Sequence, residues 1–119
     1  MKLKKIIDKL DLEVIVEFSL EEKVRGGYCG DLLSNVMAKA QKGDLWFTVQ
    51  SHQNVIAVAL LTEVAAVVVA EGFEIEDKAI KRAKEKGVNI LRSNLSSYEL
   101  AGLLYQIEND QAEDENEKI

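Results

Sequence analysis

Short apolar segments that alternate with helical patterns constrain the fold of this chain more than any other feature. The segments are "EVIVEF" (13–18), "LWFTVQ" (45–50), "AAVVVAE" (65–71) and "VNIL" (88–91). Near-continuous apolar strands such as these are typical of a parallel sheet that is buried on both faces. Helical patterns of about ten residues separate them, which favours helices on both sides of the sheet. We therefore predict a three-layer α/β/α sandwich with a mostly parallel sheet.

The helices are predicted from apolar periodicity and from their end signals. They cover 3–10, a segment after Asp31 that ends near Gly43, residues 75–86 closed by Gly87, and a segment that begins at the Ser96–Glu99 capping box. The side chains predicted to face inward from the second and last of these are Leu32, Leu33, Val36, Met37, Ala40, Leu100, Leu103, Leu104 and Ile107.

Residues 54–63 are apolar on every face, so periodicity does not separate helix from strand there. We predict a buried helix, because the strand at 65–71 follows at once and the intervening residues lack a turn signal. Between Val24 and Cys29 we expect a short extended segment or a loop. Trp46 and Phe47 alternate along a strand, so one should face each helical layer.

The charge of the chain is concentrated at its C-terminal end. Residues 108–119 hold six acidic residues and one lysine, a net charge of −5, which leaves −1 of the chain's −6 on the other 107 residues. Such a segment is typical of a solvated, disordered tail. We predict a single α/β domain over 1–108 and a disordered acidic tail over 109–119.

Composition excludes several classes of function. No basic stripe with interleaved aromatic residues is present, so we predict no nucleic-acid partner. The longest apolar run, 55–61, is shorter than the roughly 18 residues of a membrane span, and the N-terminus lacks a signal-peptide pattern. The single cysteine, Cys29, excludes an internal disulfide. We expect a cytoplasmic protein without a membrane partner.

A ligand site is predicted at the sheet edge where the carboxyl ends of the strands meet. Three segments rich in small and polar residues are candidates for this rim: "RGGYCGD" (25–31), "QSHQN" (50–54) and "RSNLSS" (92–97). The glycine cluster and the helix that follows suggest a small anionic, nucleotide-like ligand. The candidate contacts are Arg25, Gly26, Gly27, Gly30, Asp31, Gln50, His52, Asn54 and Ser96.

A structural explanation of the same residues stays open. The glycines would then form a tight turn with positive φ, Asp31 and Ser96 would cap helices, and the other polar side chains would brace loops. A third hypothesis pairs Cys29 with His52 as nucleophile and base. The chain lacks a G-x-x-x-x-G-K-[ST] phosphate loop and has a single histidine, so we predict no enzyme activity, no cofactor and no metal site.

The chain resembles the DRTGG domain family over roughly residues 24–105. The similarity lies in "GYCGDLLSNVM", "GDLWFTVQSHQNVIAVA", the strand that ends in "EG", and "GVNILRSNLSSYELAGLLY". The resemblance implies an α/β/α fold like the N-terminal domain of bacterial HPr kinase/phosphorylase. It also implies a non-catalytic regulatory and dimerisation module, and hence a homodimer. A pure protein–protein interaction domain with an unknown partner is the alternative.

Overall fold

The computed structural model describes residues 1–117. Within that range the chain forms one five-stranded sheet in the order β1-β5-β4-β3-β2. The strands β1 to β5 are Glu13–Val16, Gly26–Cys29, Asp44–Thr48, Ala66–Val69 and Ile90–Arg92. The last four run parallel, and β1 pairs antiparallel with β5 at one edge. The predicted mostly parallel sheet is confirmed.

Five helices cover both faces of this sheet within the same range. They are α1 (Leu3–Leu10), α2 (Leu33–Lys39), α3 (Asn54–Thr62), α4 (Asp77–Lys86) and α5 (Ser97–Glu117). Helices α1 and α5 pack on one face, over Leu45 and Phe47. Helices α2, α3 and α4 pack on the other, over Trp46 and Val67. The three-layer sandwich is confirmed, as is the placement of Trp46 and Phe47 in opposite layers.

The segment before α2 differs from its prediction. Residues 26–29 form the parallel strand β2, in register with 44–47 of β3, where we expected only an extended segment or a loop. Helix α2 ends at Lys39, so Gly43 lies in the turn before β3 and does not close the helix. Leu32 and Met37, predicted to face inward, are 64% and 50% exposed, because α2 is only two turns long and buries Val36.

The remaining helices follow their end signals. The buried helix predicted at 54–63 is α3. Gly87 takes the left-handed conformation that closes α4, although α4 begins at Asp77 and not at Ile75. The Ser96–Glu99 capping box begins α5, with the Ser96 Oγ accepting from the Glu99 N–H at 3.1 Å. Leu103, predicted to face inward, is 40% exposed, whereas Leu100 and Leu104 are buried.

Helix α5 extends into the segment that the sequence predicts to be a disordered tail. It runs as far as Glu117, and residues 118 and 119 lie outside the described range. Ile107 packs against the core below α5, and the residues that follow include glutamate, glutamine and alanine, which favour helix. No helix within residues 1–117 has both the length and the apolar character that crossing a bilayer requires.

Candidate functional site

The carboxyl ends of the four parallel strands lie at one edge of the sheet, which we call the rim. The predicted segments 50–54 and 92–97 follow β3 and β5 and therefore belong to the rim. Of the segment 25–31, only its last residues do, since 26–29 are strand. Arg25 and Gly26 lie at the opposite edge, beside Asp44 at the start of β3. The fold therefore brings some of the predicted ligand contacts to the rim and places the others away from it.

Asp31 and Gln50 lie close together, and each forms hydrogen bonds with the segment that carries the other. The Asp31 Oδ1 accepts from the Thr48 hydroxyl at 2.8 Å and from the Val49 N–H at 2.9 Å. The Gln50 side-chain amide donates to the Asp31 carbonyl at 3.0 Å. Asp31 thus fastens the loop after β2 to the loop after β3 and does not cap α2, which has no side-chain cap.

His52 and Asn54 lie on the far side of the same loop. The His52 Nδ1 accepts from the Asn54 N–H at 3.2 Å, and its Nε2 lies 3.8 Å from a Glu76 carboxylate oxygen. The hollow beneath this loop has a volume of about 10 Å³ and is lined chiefly by aliphatic side chains from α3, α4, β4 and β5. It is too small for a ligand, so these residues present a surface and not a pocket.

Ser96 lies at the end of β5, two strands away from β3. Its N–H and hydroxyl both donate to the Glu99 carboxylate within the capping box. The loop after β4 separates it from the other candidates, and the Gly72 N–H and Glu71 N–H of that loop donate to the backbone of residues 93 and 95. Within the described residues, the side-chain hydrogen bonds of Ser96 are all with Glu99, and none reaches the Asp31–Gln50 pair.

The charge of the rim opposes an anionic ligand. Its loops carry carboxylates at 31, 71, 74, 76 and 77, whereas Arg92 is the one arginine among them and already donates to the Gly72 carbonyl at 3.0 Å. Like charges repel across an edge of this kind, so an anion would be bound here at an electrostatic cost. Anion binding at the rim therefore lacks the geometry and the charge that the sequence suggested.

The glycine-rich strand β2 instead borders a cleft beneath α5. A Cβ built on Gly27 would lie 2.9 Å from the Leu104 Cδ2 and 3.3 Å from the Phe47 ring, so glycine lets α5 approach the strand. None of the glycines at 26, 27 and 30 has a positive φ, which excludes the predicted tight turn. Gly27 is therefore explained by the helix that lies over it, whereas a Cβ on Gly30 would lie 2.8 Å from the Tyr28 ring.

The cleft has a volume of about 340 Å³. It is lined by Arg25, Gly26, Gly27, Cys29, Phe47, Ala101, Leu104, Tyr105 and Glu108. Its floor is apolar, one end is charged, and β2, its strand wall, has no partner strand on its outer side within the described residues. The cleft thus combines apolar and polar groups in one concave surface, as small-molecule sites do. Two larger hollows, of about 440 and 420 Å³, lie near the amino ends of β3 and β4 and beside α1.

Sequence reasoning found one wall of this cleft and missed the other. Arg25, Gly26 and Gly27 were candidates, but Ala101, Tyr105 and Glu108 were not. The spacing of these three along α5, four and three residues, places them on one helix face. That periodicity was a usable signal, although only the fold places this face over β2.

A model of the DRTGG domain matches residues 5–107 of the chain. The chain belongs to the DRTGG domain family.

One solved structure with the same fold contains the CBS and DRTGG domains of the regulatory region of the Clostridium perfringens pyrophosphatase, in complex with the activator diadenosine tetraphosphate. The TM-score is 0.67 and the sequence identity is 15%. The alignment covers 87% of this chain but only 45% of the pyrophosphatase chain. At this identity the likeness concerns the fold alone. No curated protein matches the chain significantly.

The charged end of the cleft in this DRTGG domain is built around Asp44. Asp44 is buried, and its carboxylate accepts from the Arg25 guanidinium at 2.7 Å and from the Gln41 N–H at 2.8 Å. The Arg25 side chain is 53% exposed, so its remaining N–H donors are open to solvent or to a ligand. Arg25 is therefore held in place by one partner while it is available to another.

Glu108 provides a titrating group at the same end. Partial burial raises the pKa of its carboxyl, the Arg25 charge opposes that shift, and the Asp44 charge adds to it. An acid whose pKa is raised on folding favours the folded state below its unfolded pKa, and this contribution is lost as the pH rises through the folded pKa. Ionised Glu108 thus slightly lowers the stability of the ligand-free domain near neutral pH.

Glu108→Gln is expected to stabilise the domain at pH 7 and to have a smaller stabilising effect at pH 4, where Glu108 is already protonated. Urea unfolding at several pH values measures the difference. Glu85→Gln, on the exposed face of α4, serves as the control. A stability difference between Glu108→Gln and the parent that is the same at pH 4 and pH 7 would contradict the expected coupling.

The pairing of Cys29 with His52 is not formed. Cys29 lines the cleft on the α5 face, whereas His52 lies over the aliphatic side chains of the α3–α4 face. Burial and the Asp31 charge both raise the pKa of the Cys29 thiol, which disfavours a thiolate. The two side chains therefore do not act as nucleophile and base in this fold.

Proposed function

We propose that the chain is a non-catalytic regulatory module that forms a homodimer and binds a small nucleotide-like ligand in the cleft between β2 and α5. The observation that best supports this proposal is the cleft, because it combines apolar side chains at its floor with charged side chains at one end. The activator-bound regulatory region of the pyrophosphatase supports a nucleotide as the class of ligand. A cytoplasmic location remains part of this proposal, since Cys29 is the single cysteine.

The chemistry of the cleft suits the three parts of a nucleotide. A base ring can stack on the Tyr105 ring, which is 67% exposed and lies beside the buried side chains of Phe47 and Leu104. The free N–H groups of Arg25 suit a phosphate, and the Glu108 carboxylate suits the hydroxyls of a ribose. We place the ligand here and not at the rim, because the cleft has a volume of about 340 Å³ and the rim hollow one of about 10 Å³.

Ligand binding is tested by thermal unfolding with ATP and with diadenosine tetraphosphate. At ten times its Kd a ligand stabilises the folded state by about 1.4 kcal/mol, which corresponds to a rise in Tm of several degrees for a small domain. Inorganic triphosphate serves as a control that offers the charge without the base. No rise with either nucleotide at millimolar concentration would overturn the ligand proposal.

Two tyrosines on one helix allow a matched test of the location. Tyr105 lines the cleft and is 67% exposed, whereas Tyr98 is 89% exposed and lies outside it. Tyr105→Ala is expected to weaken nucleotide binding by about 10-fold, the effect of one lost stacking contact, and Tyr98→Ala to leave it unchanged. Equal affinities of the two variants would exclude the cleft.

A pure interaction domain is the second candidate. The exposed side chains of Leu32 and Leu61, at 64% and 69%, together with the open edge of β2, favour a protein contact. Nucleotide binding separates the two functions, since the interaction domain predicts none.

A further inference from the structure

Strand β2 is an edge strand whose four residues lack the usual protection, although residues 1 and 2 pair with residues 23 and 24 just before it. Among residues 1–117 no strand pairs with its outer side. Edge strands normally carry lysine, proline, a bulge or a covering loop that prevents pairing with another chain. The four residues of β2, Gly26–Cys29, include neither lysine nor proline, and their register with β3 is regular. The edge is therefore competent to pair.

The backbone groups that face outward follow from the pairing with β3. The Gly30 N–H donates inward, to the Phe47 carbonyl at 3.2 Å. Alternate residues of a strand direct their N–H and C=O groups to opposite sides, so Gly27 and Cys29 direct theirs outward. Both residues are exposed. Each of them offers one donor and one acceptor to a neighbouring strand.

We propose that a second copy of this chain pairs with β2 in antiparallel orientation, in a register centred on Tyr28. The inference rests on the homodimer of the proposed function and names its surface. In this register Gly27 and Cys29 of each copy exchange N–H···O bonds across a two-fold axis, which is the self-complementary contact that a symmetric dimer requires. Tyr28 then lies opposite Tyr28 of the second copy.

Charge selects this register. "RGGYCGD" has a basic residue three positions before Tyr28 and an acidic residue three positions after it. Centring on Tyr28 therefore places Arg25 opposite Asp31 of the second copy at both ends of the pairing. A register centred on Cys29 separates the two charges. A register centred on Gly27 places Asp31 opposite Lys23, which already pairs with Lys2. Arg25 already donates to Asp44, and the Asp31 Oδ1 already accepts from Thr48 and Val49. The contact between copies would therefore use the other Arg25 N–H groups and the Asp31 Oδ2, and the Arg25 side chain is 53% exposed.

The layers are compatible with the same axis. A two-fold axis perpendicular to the sheet leaves both α5 helices on one face, and α5 lies over β2 and β3. With strands about 4.8 Å apart, α5 axes that lie midway over β2 and β3 would be about 10 Å apart in the dimer, a normal helix-packing distance. Gly102 on α5 has no atom within 4 Å of its Cβ position and leaves room for this approach. The cleft is lined by the same Gly27 and Cys29 and by the outer face of α5, so in this dimer the second α5 would close over it. Ligand binding and dimer formation should therefore oppose each other.

The first test removes one outward donor. Cys29→Pro deletes the Cys29 N–H, whereas the matched control Cys29→Ser retains it. Two hydrogen bonds per dimer are lost with proline, so the dimer Kd measured by sedimentation equilibrium is expected to rise about 10- to 100-fold over that of Cys29→Ser. Circular dichroism melting establishes that both variants are folded.

The second test keeps the strand's donors and locates the axis. In a Cys29→Ser background, Tyr28→Cys places two thiols directly opposite each other, at a distance that a disulfide can span. Oxidation is expected to give a covalent dimer, while Leu61→Cys in the same background, on the exposed part of α3, does not. Both variants use the full chain.

The outcomes separate the surface from the homodimer itself. A parent chain that stays monomeric at all concentrations would overturn both the homodimer and this surface. A stable dimer in which Cys29→Pro matches Cys29→Ser, and Tyr28→Cys cross-links no faster than Leu61→Cys, would overturn the surface alone. Weakening by proline together with cross-linking at position 28 supports the proposed register.

Discussion

Replacing Asn89 by alanine is expected to lower the free energy of unfolding by about 3–5 kcal/mol. Asn89 is 3% exposed, and its side chain makes four hydrogen bonds. Its Oδ1 accepts from the Phe18 and Ser19 N–H groups at 2.6 and 2.9 Å. Its Nδ2 donates to the Ser19 and Ala65 carbonyls at 2.8 and 3.0 Å. Alanine would leave all four backbone groups without this partner.

The size of the effect follows from where those backbone groups lie. Each buried group that loses its partner costs about 1–3 kcal/mol, and water that reaches Phe18 and Ser19 reduces the sum. Urea denaturation measures the change, with Asn35→Ala on the exposed side of α2 as the control, for which we expect a change within about 0.5 kcal/mol. A loss below 1 kcal/mol for Asn89→Ala would mean that the chain after β1 is held by other contacts.

Replacing Gly27 by valine is expected to destabilise the domain by about 1–3 kcal/mol and to abolish ligand binding in the cleft. The valine Cβ would lie 2.9 Å from the Leu104 Cδ2, and Leu104 is itself buried and unable to swing away freely. Helix α5 must shift from β2 to relieve this overlap. That shift also moves Tyr105 and Glu108, which form the other wall of the cleft.

A second glycine provides the matched control for this variant. Gly102 lies in α5, and no atom is within 4 Å of its Cβ position. Gly102→Ala is therefore expected to stabilise the domain by up to about 1 kcal/mol, because alanine favours helix. Thermal unfolding and nucleotide titration of both variants test the pair. If Gly27→Val bound nucleotide as well as Gly102→Ala does, the glycine would not be needed for the cleft.

Much of the fold was predictable because local signals agreed with it. The apolar strands at 45–50 and 65–71, the left-handed Gly87 and the Ser96–Glu99 capping box each have a sequence signature that acts over a few residues. The buried helix α3 was predicted because a clear strand follows it directly in the sequence. These elements required no knowledge of distant contacts.

The strand β2 was not predictable from such signals. Glycine is depleted in strands and has no side chain to give a two-residue period, so the residues from Val24 to Cys29 were predicted only as an extended segment or a loop. Its pairing with β3 makes it a strand, and the close approach of α5 to Gly27 explains the glycine. The same pairing places Arg25 and Asp31 at opposite ends of the strand.

By itself the sequence determined which segments are buried, how they alternate, and hence the layered α/β fold, since apolar pattern and end signals act locally. The tertiary structure alone decided which polar residues meet, because pairing of distant strands sets the edge of the sheet to which each side chain goes. The predicted site residues thus lie in two places. Some lie at the rim, where the loops hydrogen-bond to each other, and others line a cleft whose second wall is formed by residues 101–108.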